Sequence, residues 1–423
     1  MDEILRGLKS DHLAGRRKGL ASICSAHPEV LTAAMDAVGE SHAPLLVEAT
    51  ANQVNQYGGY TGMTPEAFAV ELQRLAASIG FPPERLVMGA DHLGPWVWRT
   101  ETAETALRRC EELIRHCVRA GFRKLHLDTG FGCADDGASL VPLEQAVRRA
   151  TRLCRAAEAA VPDGQDPPCY VVGAEVPQPG GGLEPGALPP VTPVDDVAQV
   201  LDRMGAAFRT QGLSAAWERV VAIVVQPGVE FGDDFVAVYR PERAAALSAF
   251  HARLPGILTY EIHSTDYQPA EALARLTADH FPILKAGPCL THAYHQAVLA
   301  LECLELEWLR EGAGFEPSGV AAALEAAMLA EETHWRPHYR GGPAELRRLR
   351  QESLRDRVRY YWGTAGVRAA VARLQRNTAG PLPARLVERF FPGMEVPEGR
   401  PSAQALIRAR IRSALRPYLA ATC

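Results

Sequence analysis

An apolar run followed by a segment of helical periodicity recurs eight times in the first two thirds of the chain, and this repeat restricts the possible folds more than any other feature. We predict strands within residues 19–28, 44–53, 86–95, 123–133, 167–182, 219–232, 256–268 and 281–293. Eight such units over roughly 280 residues predict an α/β fold, a (β/α)8 TIM barrel. A doubly wound open sheet is the competing architecture, but no GxGxxG motif follows the first strand.

The sequence pattern changes near residue 295. Residues 1–295 carry the barrel units, whereas residues 296–423 contain two further helical segments and an arginine- and aromatic-rich stretch. We therefore predict a barrel with a helical C-terminal extension packed on it.

Composition and charge exclude several classes of protein. No apolar run reaches the ~18 residues of a membrane span, and the acidic N-terminus lacks a signal core, so we expect a cytoplasmic protein without a membrane partner. A net charge of −5, with arginines interleaved among acids, gives no indication of nucleic acid binding. Nine scattered cysteines without a CxxC pair argue against a disulfide framework or a structural zinc cluster.

Polar or ionisable residues close every predicted strand. Because such barrels build their active sites at the C-terminal strand ends, we expect these side chains to converge. They are Glu48, Asp91, His92, Asp128, Glu175, Gln226, His263, Asp266 and Lys285. In the Asp91-His92 pair the aspartate can transfer a proton and the histidine can bind a metal. Taken alone, the pair fits a helix-capping aspartate beside a surface histidine better than it fits a catalytic pair.

The C-terminal extension carries an arginine cluster with two interpretations. Its guanidinium groups suit a phosphate, and Arg357 and Arg359 are the members that we assign to substrate. The alternative is a solvated helix face paired with Glu345, Glu352 and Asp356. The cluster comprises Arg347, Arg348, Arg350, Arg355, Arg357 and Arg359, beside Tyr360 and Tyr361.

Long motifs in this chain resemble one family. The strings CSAHP, EATANQVNQYGGYTGMTP, GADHLGP, HLD, GAEVPQPGG, AIVVQPGVEF, HSTDYQ, LKAGPCLT and RVRYYW are similar to the D-tagatose-1,6-bisphosphate aldolase subunit family GatZ/KbaZ. The resemblance covers nearly the whole chain and implies a class II aldolase-like barrel. It implies either of two roles, a non-catalytic subunit supporting a separate aldolase polypeptide, or a metal-dependent 4-epimerase of fructose and tagatose 6-phosphates or free sugars.

The resemblance to class II aldolases also implies a metal site. There an aspartate directly precedes a metal-binding histidine at a strand end, as Asp91 precedes His92, and His263 occupies a further ligand position. Strand six departs from the pattern, because it ends in Gln226 where those enzymes have a histidine; we predict that Glu175 and Gln226 complete the set. Zinc is the first expectation, and manganese, cobalt or nickel also accept these ligands.

Epimerisation at C4 of a ketohexose requires breaking the C3–C4 bond in a retro-aldol step, because the C4 proton is not acidic. A base must take the O4 proton and an acid on the other side must return one. We assign these roles to Asp91 and Asp128, with Asp266 and Glu48 as further candidates. Each of the last three has a structural explanation that fits equally well. Asp128 would cap the next helix, Glu48 would belong to a buried ion pair, and Asp266 would form an Asx-turn.

The substrate would be a small sugar or sugar phosphate. Phosphate-binding residues are expected after strands seven and eight. We assign substrate binding to Asn52, Gln53, Ser264, Thr265, Lys285, Gly287 and Thr291. Lys285 alternatively suggests a Schiff-base aldolase, which would leave the metal ligands without a role. We favour the ketohexose-phosphate 4-epimerase, expect a homo-oligomer, and keep the stabilising aldolase subunit as the alternative function.

Overall fold

A computed structural model describes residues 2–39, 43–173, 188–394 and 401–422. Eight parallel strands close into a barrel in the order β1-β2-β3-β4-β5-β6-β9-β10, which confirms the predicted fold. The barrel strands are β1 (Leu20–Ile23), β2 (Leu45–Thr50), β3 (Leu86–Leu93), β4 (Lys124–Asp128), β5 (Cys169–Gly173), β6 (Val220–Val224), β9 (Thr259–Ile262) and β10 (Ile283–Ala286). A small antiparallel hairpin, β7 (Glu230–Phe231) with β8 (Val236–Ala237), follows β6.

Helices alternate with the strands and then continue beyond them. Those within the barrel units are α1 (Asp2–Leu13), α2 (Pro28–Gly39), α3 (Pro65–Ile79), α4 (Ala103–Arg119), α5 (Leu143–Glu158), α6 (Val194–Thr210), α7 (Ser214–Trp217), α8 (Pro241–Phe250) and α9 (Ala270–Ala278). The later ones are α10 (Pro288–Arg310), α11 (Val320–Ala330), α12 (Pro343–Glu352), α13 (Ala365–Asn377), α14 (Ala384–Phe390) and α15 (Ala403–Thr422). Short 3-10 helices include Arg357–Tyr360.

Local sequence explains where these helices begin and end, as α3 illustrates. The Thr64 side chain accepts the Ala67 N–H, and Pro65 lies in the first turn, where its missing N–H costs nothing. Gly80 ends the helix with a φ of 70°, a conformation that glycine adopts without steric penalty.

The end of the barrel interior opposite the strand C-termini is apolar. Leu20, Leu46, Val87 and Ile283 belong to a buried cluster there that also contains Leu5 and Leu8 of α1. Helix α1 therefore covers this end of the barrel with apolar side chains, and the polar residues of the strands lie nearer the opposite end.

The C-terminal helix is part of the barrel wall. Helix α15 packs against α2, α9, α10 and β1, the place between α9 and α2 where the eighth barrel helix belongs. The Gly19 N–H donates to the Thr422 carbonyl at 3.0 Å, and the Tyr418 hydroxyl to the Thr265 carbonyl at 2.6 Å. The predicted division at residue 295 falls inside α10, and the extension returns to complete the barrel.

Among the described residues, no helix is both long and apolar enough to cross a membrane.

Candidate active site

A layer of fully paired charges crosses the barrel interior below its mouth; we call Ser22, Glu48, Lys124 and Glu261 the floor. The Lys124 ammonium lies 2.8 Å from both oxygens of Glu48 and 2.6 Å from Oε2 of Glu261. The Ser22 hydroxyl donates to Glu48 at 2.6 Å. Lys124, Glu48 and Glu261 are wholly buried. The charges are tolerated there because each has an opposite charge in direct contact.

A glycine makes the floor possible. Glu48, Gly89 and Lys124 lie at the same height on three neighbouring strands. A Cβ on Gly89 would lie 2.8 Å from Cγ of Glu48, so only glycine leaves Glu48 room to reach across β3 to Lys124.

The Asp91-His92 pair lies at a break in the regular pairing of β3. Successive residues of a regular strand face opposite sides, yet both of these side chains line the cleft at the barrel mouth. The register between β3 and β4 shifts between Ala90 and Leu93, and His92 has a φ of 52°. A bulge of this kind re-aims side chains, and strained backbone of this kind clusters at functional sites.

Three histidines meet at the mouth, each bound to a carboxylate; we call these six residues the mouth cluster. His92 Nδ1 lies 2.8 Å from Asp128, and His126 Nδ1 lies 2.7 Å from Asp91. His263 Nε2 lies 3.1 Å from Glu261, which also belongs to the floor. Metal-binding histidines commonly use one ring nitrogen for a carboxylate, which fixes the ring and leaves the other nitrogen for the ion.

The spacing of the rings fits a shared ion. The ring centroids of His92, His126 and His263 lie 5.0–5.3 Å from one another. A tetrahedral ion with N–Zn distances of about 2.0–2.1 Å places imidazole ring centres about 5 Å apart. Buried Nε2 of His126 has no hydrogen-bond partner among the described residues. Ligand atoms of Asp91, His126, Glu261 and His263 lie within 4.8 Å of one another, a group that does not include His92, so two carboxylates are within reach of the point that His126 and His263 share.

The surroundings of the mouth cluster keep Asp91 ionised and the imidazole of His263 neutral. Burial raises the pKa of Asp91, but His92 and Lys285 outweigh it and hold that pKa well below its usual range. Burial, with the charge of Lys285, lowers the pKa of His263 to about 3. Burial also lowers the pKa of His92, but Asp91 and Asp128 outweigh it, so the net shift is upward. His263 is therefore ready to bind a cation at neutral pH, whereas His92 would release a proton on binding one.

Lys285 joins the mouth to the floor. Its ammonium lies 2.8 Å from Asp91, 3.2 Å from Glu48 and 3.3 Å from Glu261. These carboxylates raise its pKa well above the usual value, against the effect of burial. A lysine held in this charged form is a poor nucleophile, which argues against the Schiff-base alternative.

Most of the predicted site residues line one cleft. The mouth supplies one wall and the loops after β2, β9 and β10 supply the others, with Arg359 and Tyr360 reaching in from the C-terminal region. The predicted residues in this cleft are Asn52, Gln53, Asp91, His92, His263, Ser264, Asp266, Lys285, Gly287, Thr291 and Arg359.

Other predicted residues lie off the cleft. Glu48 is in the floor, and Asp128 is bound to the ring of His92. The side-chain oxygen of Gln226 accepts the N–H groups of Gly228 and Val229 at 2.8 Å each, so it holds its own loop. Glu175 lies outside the described residues.

Two predicted substrate-binding residues do not line the cleft and instead contact other parts of the protein. The Thr265 hydroxyl donates to the Lys285 carbonyl at 2.6 Å and is buried. Arg357 is buried beside His338, with 3.2 Å between its Nη2 and Nδ1 of the histidine.

The arginine cluster divides between its two interpretations. Arg348 lies 2.7 Å from Glu345, and Arg350 lies 2.5 Å from Glu325. Arg359 instead has Nη1 held by the carbonyls of Arg355 and Asp356, which aims the guanidinium at the cleft.

Several residues of the site were not predicted. They are His126, Lys124, Glu261, Cys24 and Tyr60, while Tyr360 was named only beside the arginine cluster. His126 and Asp128 are two residues apart on one strand and so share a face, a signal present in the HLD motif. Likewise Glu261 precedes His263 by two. Tyr60 and Tyr360 come from a loop and from the C-terminal region, and no strand-end pattern marks them.

Comparisons with known proteins agree with this architecture. Residues 5–423 match the model of a family described as D-tagatose-1,6-bisphosphate aldolase subunit GatZ/KbaZ-like. The chain belongs to this family. Curated relatives named D-tagatose-1,6-bisphosphate aldolase subunit GatZ include one from Klebsiella pneumoniae subsp. pneumoniae, 42% identical over 98% of each chain. One from Salmonella enteritidis is also 42% identical over 98% of each chain.

A solved structure shares the fold over its full length. It is described as a probable tagatose 6 phosphate kinase from Sinorhizobium meliloti 1021, with a TM-score of 0.86 and 40% identity, covering 96% of this chain and 100% of that chain. The family resemblance expected from the sequence motifs is thereby confirmed.

Proposed function

We propose that this chain is a metal-dependent ketohexose-phosphate 4-epimerase that interconverts D-tagatose 6-phosphate and D-fructose 6-phosphate by retro-aldol and aldol steps. The observation that carries the proposal is the mouth cluster, in which three carboxylate-bound imidazoles converge beside an ionised aspartate in a cleft that also contains an arginine. The names of the similar proteins above refer to tagatose phosphates, which supports this class of substrate.

A divalent cation, with zinc as the first expectation, fits the residues present. His92, His126 and His263 would hold it, since their other ring nitrogens are occupied by Asp128, Asp91 and Glu261. When bound, the cation supplies a Lewis acid that stabilises negative charge next to the ketose carbonyl. Nε2 of His126 is buried without a hydrogen-bond partner among the described residues, which leaves it free to bind a ligand.

Two carboxylates lie on facing walls of the cleft. Asp91 is on β3 and Asp266 follows β9, and these strands are four positions apart in the eight-stranded barrel, directly opposite each other. Asp91, held ionised, would accept the O4 proton as the C3–C4 bond breaks. On the facing wall Asp266, whose Oδ1 accepts the N–H groups of Gly287 and Cys289, would return a proton after the aldehyde fragment has turned over. Asp128 would then orient His92, and Glu48 would hold the floor.

The phosphate end of the substrate would lie against Arg359. Its guanidinium is partly buried and fixed by two backbone carbonyls, so little side-chain freedom is lost on binding. Ser264, with a φ of 56°, presents a hydroxyl to the same cleft. Asn52 lies on the cleft wall and would contact the sugar hydroxyls, whereas the side chain of Gln53 accepts the Thr50 N–H and donates to the Cys24 carbonyl and would hold that wall in place.

A second candidate function is a non-catalytic subunit that stabilises a class II aldolase polypeptide. The curated names favour it, because they call the relatives aldolase subunits. Under either function we expect a cytoplasmic protein that forms homo-oligomers.

The test of the first function is to purify the chain alone, load it with zinc, manganese, cobalt or nickel, and follow fructose 6-phosphate by NMR. We expect tagatose 6-phosphate to form, and His92→Ala to abolish its formation. Absence of tagatose 6-phosphate with every metal rejects the epimerase, while turnover retained by His92→Ala rejects the site assignment.

The test of the second function uses the same variant. If the chain supports an aldolase polypeptide, adding it should lengthen the half-life of aldolase activity at 37 °C, and His92→Ala should do so equally well. A role that needs the mouth cluster predicts that the variant fails where wild type succeeds.

A further inference from the structure

A second group of metal-binding side chains lies outside the mouth, between α10 and the C-terminal region. His292 and His295 are one turn apart on α10, and Asp356 precedes the 3-10 helix Arg357–Tyr360. We call these three residues the clamp cluster. Their ligand atoms all lie within 4.8 Å of one another.

The distances within the clamp cluster suit a shared ion better than direct hydrogen bonds. Nδ1 of His292 and Nδ1 of His295 each lie 3.9 Å from Oδ1 of Asp356. That separation is too long for a hydrogen bond. It is within reach of two ligands of one cation, since each would lie about 2.0–2.2 Å from the ion.

The cluster holds polar atoms whose hydrogen-bonding capacity is unused. Nδ1 of His292 and Oδ1 of Asp356 are buried and have no hydrogen-bond partner among the described residues. Asp356 and His295 are almost completely buried, and a buried carboxylate oxygen without a partner is costly. The other oxygen of Asp356 accepts the Thr291 hydroxyl, so the side chain is fixed with Oδ1 towards the histidines.

Both histidines are in the form that binds metals. Burial lowers the pKa of His292 to about 4 and that of His295 to about 3, so each is neutral at pH 7 with a lone pair available. Burial raises the pKa of Asp356 to about 7, and a bound cation would keep it ionised. Nearby Arg410, Arg357 and Arg359 oppose a cation, whereas Asp266 favours one.

We propose that His292, His295 and Asp356 form a second divalent-cation site that fastens the segment Asp356–Tyr360 to α10. His292 also lines a groove with Cys289, Gln296 and Arg410, which gives an ion a path from solvent and room for water as a fourth ligand.

The site would act on the cleft through one short segment. Asp356 has a φ of 46°, a strained conformation that needs support from its surroundings. It is followed by the turn that carries Arg359 and Tyr360 into the cleft. An ion on Asp356 would therefore hold the proposed phosphate-binding arginine in place without touching substrate.

The experiment is zinc stoichiometry on the full chain, stripped with chelator, reloaded and measured by mass spectrometry. We expect His292→Gln and Asp356→Asn each to bind one zinc fewer per chain than wild type. His116→Gln is the matched control, because that half-buried histidine also lies beside a carboxylate, Glu66, but has no third ligand within the part of the chain that the structure describes. Zinc content equal to wild type in both clamp variants overturns the proposal.

A measurement on wild type covers the case in which the variants fold poorly. Zinc should slow amide hydrogen exchange within residues 356–360, and the same protection should persist in His263→Ala, whose mouth cluster is broken. Unchanged exchange in wild type overturns the clamp. If wild type held zinc at the clamp cluster but none at the mouth cluster, the result would count against the proposed function and not against the clamp. The two failures are therefore distinguishable.

Discussion

The floor and the mouth cluster are built from the same kinds of residue a few ångströms apart, yet they differ in how completely their members are paired. In the floor, Lys124 contacts two carboxylates and Glu48 accepts from both Lys124 and Ser22. In the mouth, each imidazole has one nitrogen on a carboxylate, and Nε2 of His126 is left without a partner among the described residues. The comparison separates a layer that is finished by the protein itself from one that an external ligand would complete.

This difference predicts opposite consequences for substitution. Removing one member of a closed, buried ion network leaves an uncompensated charge, which is expensive. Removing a member of an open cluster harms binding more than folding, because functional sites are held in conformations that do not maximise stability.

The largest expected effect on stability is in the floor. Lys124→Met should lower the free energy of unfolding by about 3–5 kcal/mol, because Glu48 and Glu261 lose their nearest ammonium and are left to share the more distant Lys285 with Asp91. Urea denaturation followed by circular dichroism measures this free energy of unfolding. Lys18→Met, which removes an exposed lysine 3.7 Å from Asp11, should change it by less than about 1 kcal/mol. A similar small loss for both variants would show that the floor does not stabilise the barrel.

The next effect concerns Glu230, which is buried in the hairpin beside the cleft. Burial raises its pKa from 4.5 to about 7, so its stabilisation is fully present below pH 4.5 and is lost as pH rises towards 7. Glu230→Gln should remove this loss. The free energy of unfolding of the variant minus that of wild type should therefore be about 2–3 kcal/mol larger at pH 8 than at pH 4. The exposed Glu84→Gln should follow the wild-type profile in the same urea titrations, and parallel profiles for all three proteins would contradict the assignment.

A smaller effect is expected at the glycine that admits Glu48. Gly89→Ala should destabilise by about 1–3 kcal/mol, because the new methyl group would overlap Cγ of Glu48. Gly7→Ala in α1 is the control of opposite sign, since nothing lies within 4 Å of its added Cβ and alanine favours a helix by about 0.5–1 kcal/mol. Thermal unfolding of the two variants measures the contrast, which would be broken if Gly89→Ala were as stable as wild type.

The smallest effect on folding, and a large one on binding, is predicted at His92. Its φ of 52° is a conformation that asparagine tolerates well, so His92→Asn adds no backbone strain, and the metal-free chain should lose only the His92–Asp128 contact, about 1–2 kcal/mol of stability. The variant should nevertheless lose the part of the zinc-dependent rise in stability that comes from the mouth cluster, about 2.7 kcal/mol at 100 times the dissociation constant of that site. Calorimetric scans with zinc and with chelator test both parts, and an undiminished rise in the variant would remove His92 from the ligand set.

The strand pattern allowed the barrel and most of the cleft to be predicted. Asp91, His263, Asp266 and Lys285 follow or end barrel strands, and the closure of the barrel brings them together as expected. His126 was missed because its own strand end was represented by Asp128, although both side chains face inward.

Three features required tertiary structure. The register shift that turns Asp91 and His92 to one side depends on pairing between β3 and β4. The commitment of Gln226 to its loop depends on where the N–H groups of Gly228 and Val229 point. The division of the arginine cluster depends on which acidic residues the folded chain places nearby, such as Glu325 for Arg350.

The sequence by itself determined the number of barrel units, the polar strand ends and the family, because these follow from local periodicity and from motifs that are continuous along the chain. Tertiary structure decided that α15 closes the barrel, that Lys124 and Glu261 complete a floor, and that three histidines rather than two meet at the mouth. Contacts between charges and between rings across a barrel can join residues more than a hundred positions apart, as with His126 and His263. No local sequence pattern carries that information.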